Sequence, residues 1–96
     1  MFFVAADDTD SVVGTVIAGY DGHRGWIYSL AVDPSQQRRG IGSALVKQAE
    51  VALERLGCPK LNLQVRSDNA SVIKFYQSLG YDTEDRISMG KLLPSS

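Results

Sequence analysis

Two glycines, Gly40 and Gly42, stand where an apolar strand pattern gives way to a helical one. The run is Val32-Asp33-Pro34-Ser35-Gln36-Gln37-Arg38-Arg39-Gly40-Ile41-Gly42-Ser43-Ala44-Leu45. Glycine at a strand-to-helix junction lets the backbone bend where a side chain would clash. It also lets a ligand come close to the amide N–H groups. Those amides are the unsatisfied donors of the first helical turn, and the helix dipole adds positive potential there. With Arg38 and Arg39 beside them, they make an anion site best suited to phosphate.

Two familiar phosphate loops are excluded by spacing. No Gly-x-x-x-x-Gly-Lys-Ser/Thr run exists. A Gly-x-Gly-x-x-Gly/Ala fingerprint counted from Gly40 would close on Leu45, which has the wrong side chain.

The surrounding chain predicts alternating sheet and helix. Phe2 to Ala6 and Ser11 to Tyr20 read as a hairpin joined by the Asp7-Asp8-Thr9-Asp10 turn. Gly14 and Gly19 in the second strand mark a bulge or a close backbone approach. After the Asp21 to Gly25 turn, Trp26 to Val32 is a third strand, with Trp26, Tyr28, Leu30 and Val32 expected on one face. Gly42 to Leu56 has helical periodicity, and Leu45, Ala49, Ala52, Leu53 and Leu56 should face the sheet. Gly57 and Pro59 stop it. Leu61 to Arg66 should then lie parallel to the third strand through a right-handed crossover. Ser67-Asp68-Asn69 starts a helix over Ala70 to Leu79, with Val72, Ile73, Tyr76 and Leu79 as its apolar stripe. A last strand is expected at Ile87 to Leu93.

At 96 residues the chain reads as a single domain over residues 1–96. Lys plus Arg is 10 against Asp plus Glu at 11, so no global field recruits nucleic acid or an anionic membrane. No apolar run reaches membrane-spanning length. Met1 to Ala6 is too short for a signal segment. One cysteine, Cys58, cannot build an internal disulfide framework. A cytoplasmic protein is the expectation.

A second pattern follows the first. Asn69-Ala70-Ser71-Val72-Ile73-Lys74-Phe75-Tyr76-Gln77-Ser78-Leu79-Gly80-Tyr81 contains an Asn before a helix that closes with Phe-Tyr-x-x-x-Gly-Tyr. Together with Gln37 to Gly42, which fits Arg/Gln-x-x-Gly-x-Gly/Ala after a strand, it resembles the GNAT superfamily of N-acetyltransferases. The Asp21 to Val32 segment, with the run Tyr-Asp-Gly-His-Arg-Gly, is similar to a bacterial branch of the YpeA type. The resemblance covers about Phe2 to Leu93. It implies an α/β GNAT fold: a mixed, mostly antiparallel sheet with a central parallel strand pair and flanking helices. Family members usually begin with a strand and two helices before the meander. Here the meander starts at Met1, so an N-terminally truncated fold is expected, and with it an incomplete acceptor groove.

The resemblance also implies roles. The acetyl donor is acetyl-CoA, the acceptor a primary amine of unknown identity, small molecule or protein. Backbone donors around Gln37, Arg38, Arg39, Gly40, Ile41, Gly42 and Ser43 would hold the pyrophosphate. Leu30, Ala31 and Val32 would pair with the pantetheine amides, and a strand N–H there would stabilise the oxyanion. Tyr76 would serve the leaving thiolate as the catalytic residue, and Asn69 would touch the pantetheine arm. The residues alone leave alternatives open: solvated arginines, Asn69 as a plain N-cap, Tyr76 as a core aromatic. His23 has no companions for a metal site, so no metal is expected. His23, Asp21 and Glu84 are weak candidates for a base. Cys58 reads as a turn residue. The rival to an acetyltransferase is a CoA-holding or interaction module without turnover. More apolar side chains on the first two strands than one thin layer can bury predict a homodimer.

Overall fold

The computed structural model describes residues 1–36 and 40–94. Gln37, Arg38 and Arg39 lie outside the described residues. The chain divides into two compact units, Met1–Arg66 and Ser67–Ser96.

The first unit is a sheet with one helix on it. Its strands are β1 (Phe2–Ala6), β2 (Val12–Tyr20), β3 (Gly25–Val32) and β4 (Leu61–Leu63), in spatial order β1-β2-β3-β4. The first three pair antiparallel and β4 runs parallel to β3. Helix α1 (Ile41–Arg55) makes the crossover, after a single 3-10 turn at Pro34–Gln36. The expected parallel pair is present, but in the described sheet it lies at the edge rather than the centre, because no strand among the described residues follows β4, and β4 is shorter than its sequence suggests. Its ladder with β3 ends at Ile27 and Leu63, and Gln64 to Arg66 lie beyond that ladder.

The buried face of α1 carries Leu45, Val46, Ala49 and Leu53. Leu56 falls on the C-cap and is exposed, a correction to the helical count: the stripe ends with the helix. The helix packs on Val16, Ala18 and Ile27, which are buried on the sheet's inner face. Two glycines set how closely it lies. A β-carbon at Gly14 would come 2.9 Å from Leu45 Cδ1, and one at Gly25 would come 2.9 Å from Leu53 Cδ1. Close backbone approach is thus the reason for Gly14.

β3 does not keep one face. Ala18 pairs with Ile27 but Ile17 pairs with Ser29, which leaves Tyr28 as an extra residue. Such a bulge reverses the alternation beyond it. Gly25 and Ile27 point inward before the bulge, and Leu30 and Val32 after it, while Tyr28 and Ser29 are exposed. The expected stripe of Trp26, Tyr28, Leu30 and Val32 is therefore split at Tyr28. A similar shift between β1 and β2 makes Val13 the extra residue there.

The second unit holds α2 (Ala70–Ser78). Asn69 caps it, its Oδ1 accepting from Val72 N at 3.4 Å and from Ser71 Oγ at 3.3 Å. Gly80, at φ +96°, ends it, as the sequence predicts. The expected strand at Ile87 to Leu93 is absent among the described residues. Ile87, Met89, Leu92 and Leu93 are all at least 80% exposed. Extended backbone becomes a strand only against a ladder partner, and local alternation cannot supply one.

Candidate active site

The end of β3 and the start of α1 come together at one corner of the first unit. Gly14 pairs with Val32 across the β2–β3 ladder, and its α-carbon lies against Ile41 in the first turn of α1. A hollow of about 320 Å3 opens at this corner, with Val13, Gly14, Thr15, Ala31, Val32 and Asp33 in its lining. A larger one, about 430 Å3, lies at the opposite end of α1 around Leu53, Cys58 and Leu61, away from the residues of either motif.

Gly40 is the N-cap of α1, at φ +77° and ψ 8°, in the left-handed region that glycine enters without strain. It contributes no side-chain cap, and the first turn carries no acidic residue. The first intrahelical bond runs from Ala44 N to Gly40 O at 3.0 Å. The N–H groups of Ile41, Gly42 and Ser43 precede it and are the donors that a helix leaves for an outside acceptor. Among the described residues α1 thus has no side-chain cap at its N-terminus, while Asn69 caps α2. Asp33 does not compete for those donors. Its carboxylate accepts from Ser35 N at 2.9 Å and Ser35 Oγ at 2.8 Å. These bonds hold its carboxyl below the usual range.

Leu30, Ala31 and Val32 pair with β2 on one side. On the β4 side the ladder stops at Ile27, and the edge from Tyr28 to Val32 has no strand beside it among the described residues. An extended chain of amides can pair along such an edge by strand addition. The free stretch spans roughly 15 Å at the ordinary strand rise.

Asn69 and Tyr76 belong to the second unit. Asn69 is the N-cap described above, which accounts for its place before the helix. Tyr76 is 7% exposed, with its ring edge-on to Phe75 (centroids 5.0 Å apart) and to Tyr81 (5.5 Å). Burial pushes its hydroxyl above the ordinary value of 10.0, so the group is protonated at neutral pH. That is the state able to donate a proton. The side chain is a core aromatic that keeps its hydroxyl proton at neutral pH.

Asp21, a weak base candidate, is committed to structure. Its Oδ1 accepts from His23 N at 2.8 Å and Arg24 N at 2.9 Å, and the bonds lower its pKa. Cys58 donates to Lys60 O at 3.2 Å in the turn after α1. Among the described residues no cluster of His, Cys, Asp and Glu has the arrangement of a metal site, and no helix is long and apolar enough to cross a membrane. The two bulges fall beside Gly14 and Gly19, which the sequence marked for a bulge or a close backbone approach; that the extra residues are Val13 and Tyr28 is what sequence reasoning missed. The only sequence trace of the second is Gly19, whose α-carbon seats the Tyr28 ring.

The profile of the Acetyltransferase (GNAT) family matches residues 1–81. An acetyltransferase from Yersinia pestis (strain Pestoides F) is 47% identical over 91 residues, covering 95% of this chain and 64% of the relative. The chain thus spans about two thirds of the length of that relative. Among solved structures, a putative acetyl transferase from Pyrococcus furiosus is similar at 30% identity and a TM-score of 0.77, covering 95% of this chain and 64% of the other. The aminoglycoside acetyltransferase AAC(6')-Iy, solved with a CoA bisubstrate analogue, shares the fold at a TM-score of 0.85 and 20% identity, covering 97% of this chain and 69% of the other.

Proposed function

Because the chain belongs to the acetyltransferase (GNAT) family, we propose that it transfers an acetyl group from acetyl-CoA to a primary amine by direct attack. The observation that carries this reading is that, among the described residues, the first turn of α1 has no side-chain cap and the end of β3 beside it has no strand along one edge. The pyrophosphate would take the N–H groups of Ile41, Gly42 and Ser43, with Gln37, Arg38 and Arg39, which precede Gly40 in the sequence, contributing. The pantetheine arm would pair along Leu30, Ala31 and Val32, and Asn69 would help to orient it.

The chemistry then balances without a metal. The neutral amine attacks the carbonyl carbon of the thioester. A strand N–H at the open edge of β3 stabilises the developing oxyanion. The C–S bond breaks, and the thiolate takes the proton of the Tyr76 hydroxyl. The new ammonium centre loses its proton to solvent and becomes an amide, and solvent returns a proton to the Tyr76 phenolate. In this reading residues 1–96 act as one domain, in a compartment that keeps the Cys58 thiol reduced, the cytoplasm. A second copy is the proposed partner, paired along the edge of β1 that borders no strand among the described residues, where Phe2 to Ala6 include no charge and no proline to prevent it.

Acetyl-CoA consumption over a panel of amines tests the reading, with CoA affinity measured in parallel by calorimetry. Amine-dependent release of CoA supports transfer. CoA binding without release for any amine overturns the transferase in favour of a binding module, and no CoA binding overturns both.

A further inference from the structure

We infer that Tyr28 is the floor on which the acceptor rests, and that it selects an amine carried on an aromatic or alkyl arm rather than a polycation. The inference rests on the acetyl-transfer reading above and deepens it.

The position follows from the sheet. A pantetheine arm that enters at Val32 and follows the open edge of β3 is stopped where β4 begins to pair, at Ile27. Tyr28 is the first residue short of that stop, so the reacting end of the arm arrives at its level. Helix α1 covers the inner face of the sheet, with Leu45 against Gly14 and Leu53 against Gly25. An amine must therefore approach over the outer face. There the bulge turns Tyr28 outward, and its side chain is 66% exposed.

The ring is held in place. It lies over Gly19, where a β-carbon would come 3.0 Å from Tyr28 Cε2. Glycine at this position is thus a seat for the ring, and the opposite ring face is left to a ligand. The neighbours define the chemistry. Phe2 is 61% exposed, Val4 51% and Ile17 39%, all on the same outer face, where Phe2 pairs with Ile17 and Ile17 with Ser29. The outward positions of β1 and β2 around the ring, Phe2, Val4, Thr15, Ile17 and Gly19, include no carboxylate to draw a polycation. An aromatic ring beside aliphatic side chains favours an apolar or aromatic arm, with the attacking nitrogen reaching past it to the thioester.

The experiment compares phenethylamine, spermidine and neamine as acceptors at saturating acetyl-CoA, in the wild type and in Tyr28→Ala, Tyr28→Phe and Gly19→Val. Phenethylamine should have the highest kcat/KM. Tyr28→Ala should raise its KM about fivefold to tenfold, Tyr28→Phe should restore it, and Gly19→Val should mimic the alanine variant by lifting the ring. A preference for spermidine or neamine, or an unchanged KM in Tyr28→Ala, overturns the inference. A second measurement decides it independently of turnover. Phenethylamine added to the CoA-loaded wild type should shift the Tyr28 ring resonances, identified by their loss in Tyr28→Phe. Absence of that shift at millimolar amine overturns the inference. Shifts produced by protein concentration alone assign the face to a second copy and also overturn it. If the ring shifts but no amine is acetylated, the transfer reading fails while the acceptor floor stands.

Discussion

The α-carbon of Gly14 lies directly against Ile41, so that a β-carbon there would come 2.9 Å from Ile41 Cγ2. This contact fixes the first turn of α1 over the sheet at the residue opposite Val32. The backbone oxygen of Ala31, 3.3 Å from the same point, blocks the other way out. Gly14→Val should therefore overpack the junction and destabilise the protein by about 1–3 kcal/mol. Urea denaturation measures it. An unchanged midpoint would show that the helix can retreat without cost.

Gly40 separates strain from crowding. Nothing lies within 4 Å of a β-carbon placed on it, yet its φ is +77°. Gly40→Val thus fits in space and is opposed by conformation, at roughly 1–2 kcal/mol. A backbone that leaves this conformation turns the donors of Ile41 and Gly42 away. CoA affinity should fall about tenfold or more in Gly40→Val, and less in Gly40→Asn, since asparagine tolerates the left-handed region. Wild-type CoA affinity by calorimetry in a folded Gly40→Val protein would remove the loop from the binding site.

Tyr76→Phe keeps the packed ring against Phe75 and Tyr81 and removes only the hydroxyl. If that hydroxyl protonates the leaving thiolate, turnover should fall by roughly a hundredfold to a thousandfold while CoA affinity holds. Equal turnover would leave Tyr76 as a core residue alone.

The same group sets an alkaline limit. Burial raises the folded-state pKa of Tyr76 above 10.0. The folded chain therefore holds this proton more tightly than the unfolded chain. Its contribution to stability is complete below about pH 10 and is lost as pH rises through the folded value. Absorbance titration of tyrosinate should show a component above the ordinary phenol range in the wild type, absent in Tyr76→Phe. Identical curves would contradict the burial effect.

Self-association along β1 should appear as a mass that rises with concentration in light scattering. Val4→Lys, which places a charge on an exposed position of that strand, should shift the equilibrium toward monomer. A folded wild-type protein that stays monomeric at micromolar concentration contradicts the proposal.

What was legible in the sequence is what depends on near neighbours. Leu45, Ala49 and Leu53 recur at helical spacing and are buried. Gly40 and Gly57 bound α1 with positive φ. Asn69 announced the start of α2. What was hidden depends on partners distant in the chain. Nothing in the Trp26-to-Val32 alternation betrays the bulge, because the extra residue exists only relative to β2. Ile87 to Leu93 has strand-like composition, but no neighbour pairs with it. Arg38 and Arg39, prominent beside the glycines, lie outside the described residues.

The bulge at Tyr28 gives β3 a change of parity. Before it the core needs the odd positions, Gly25 and Ile27; beyond it the core needs the even ones, Leu30 and Val32. A saturation-mutagenesis profile of this strand should therefore show two out-of-phase rhythms of tolerance, joined at Tyr28 and Ser29. Deleting either residue would bring the rhythms into step. It would also erase the offset that turns the Tyr28 ring away from the core, so the strand's irregular length is itself under constraint.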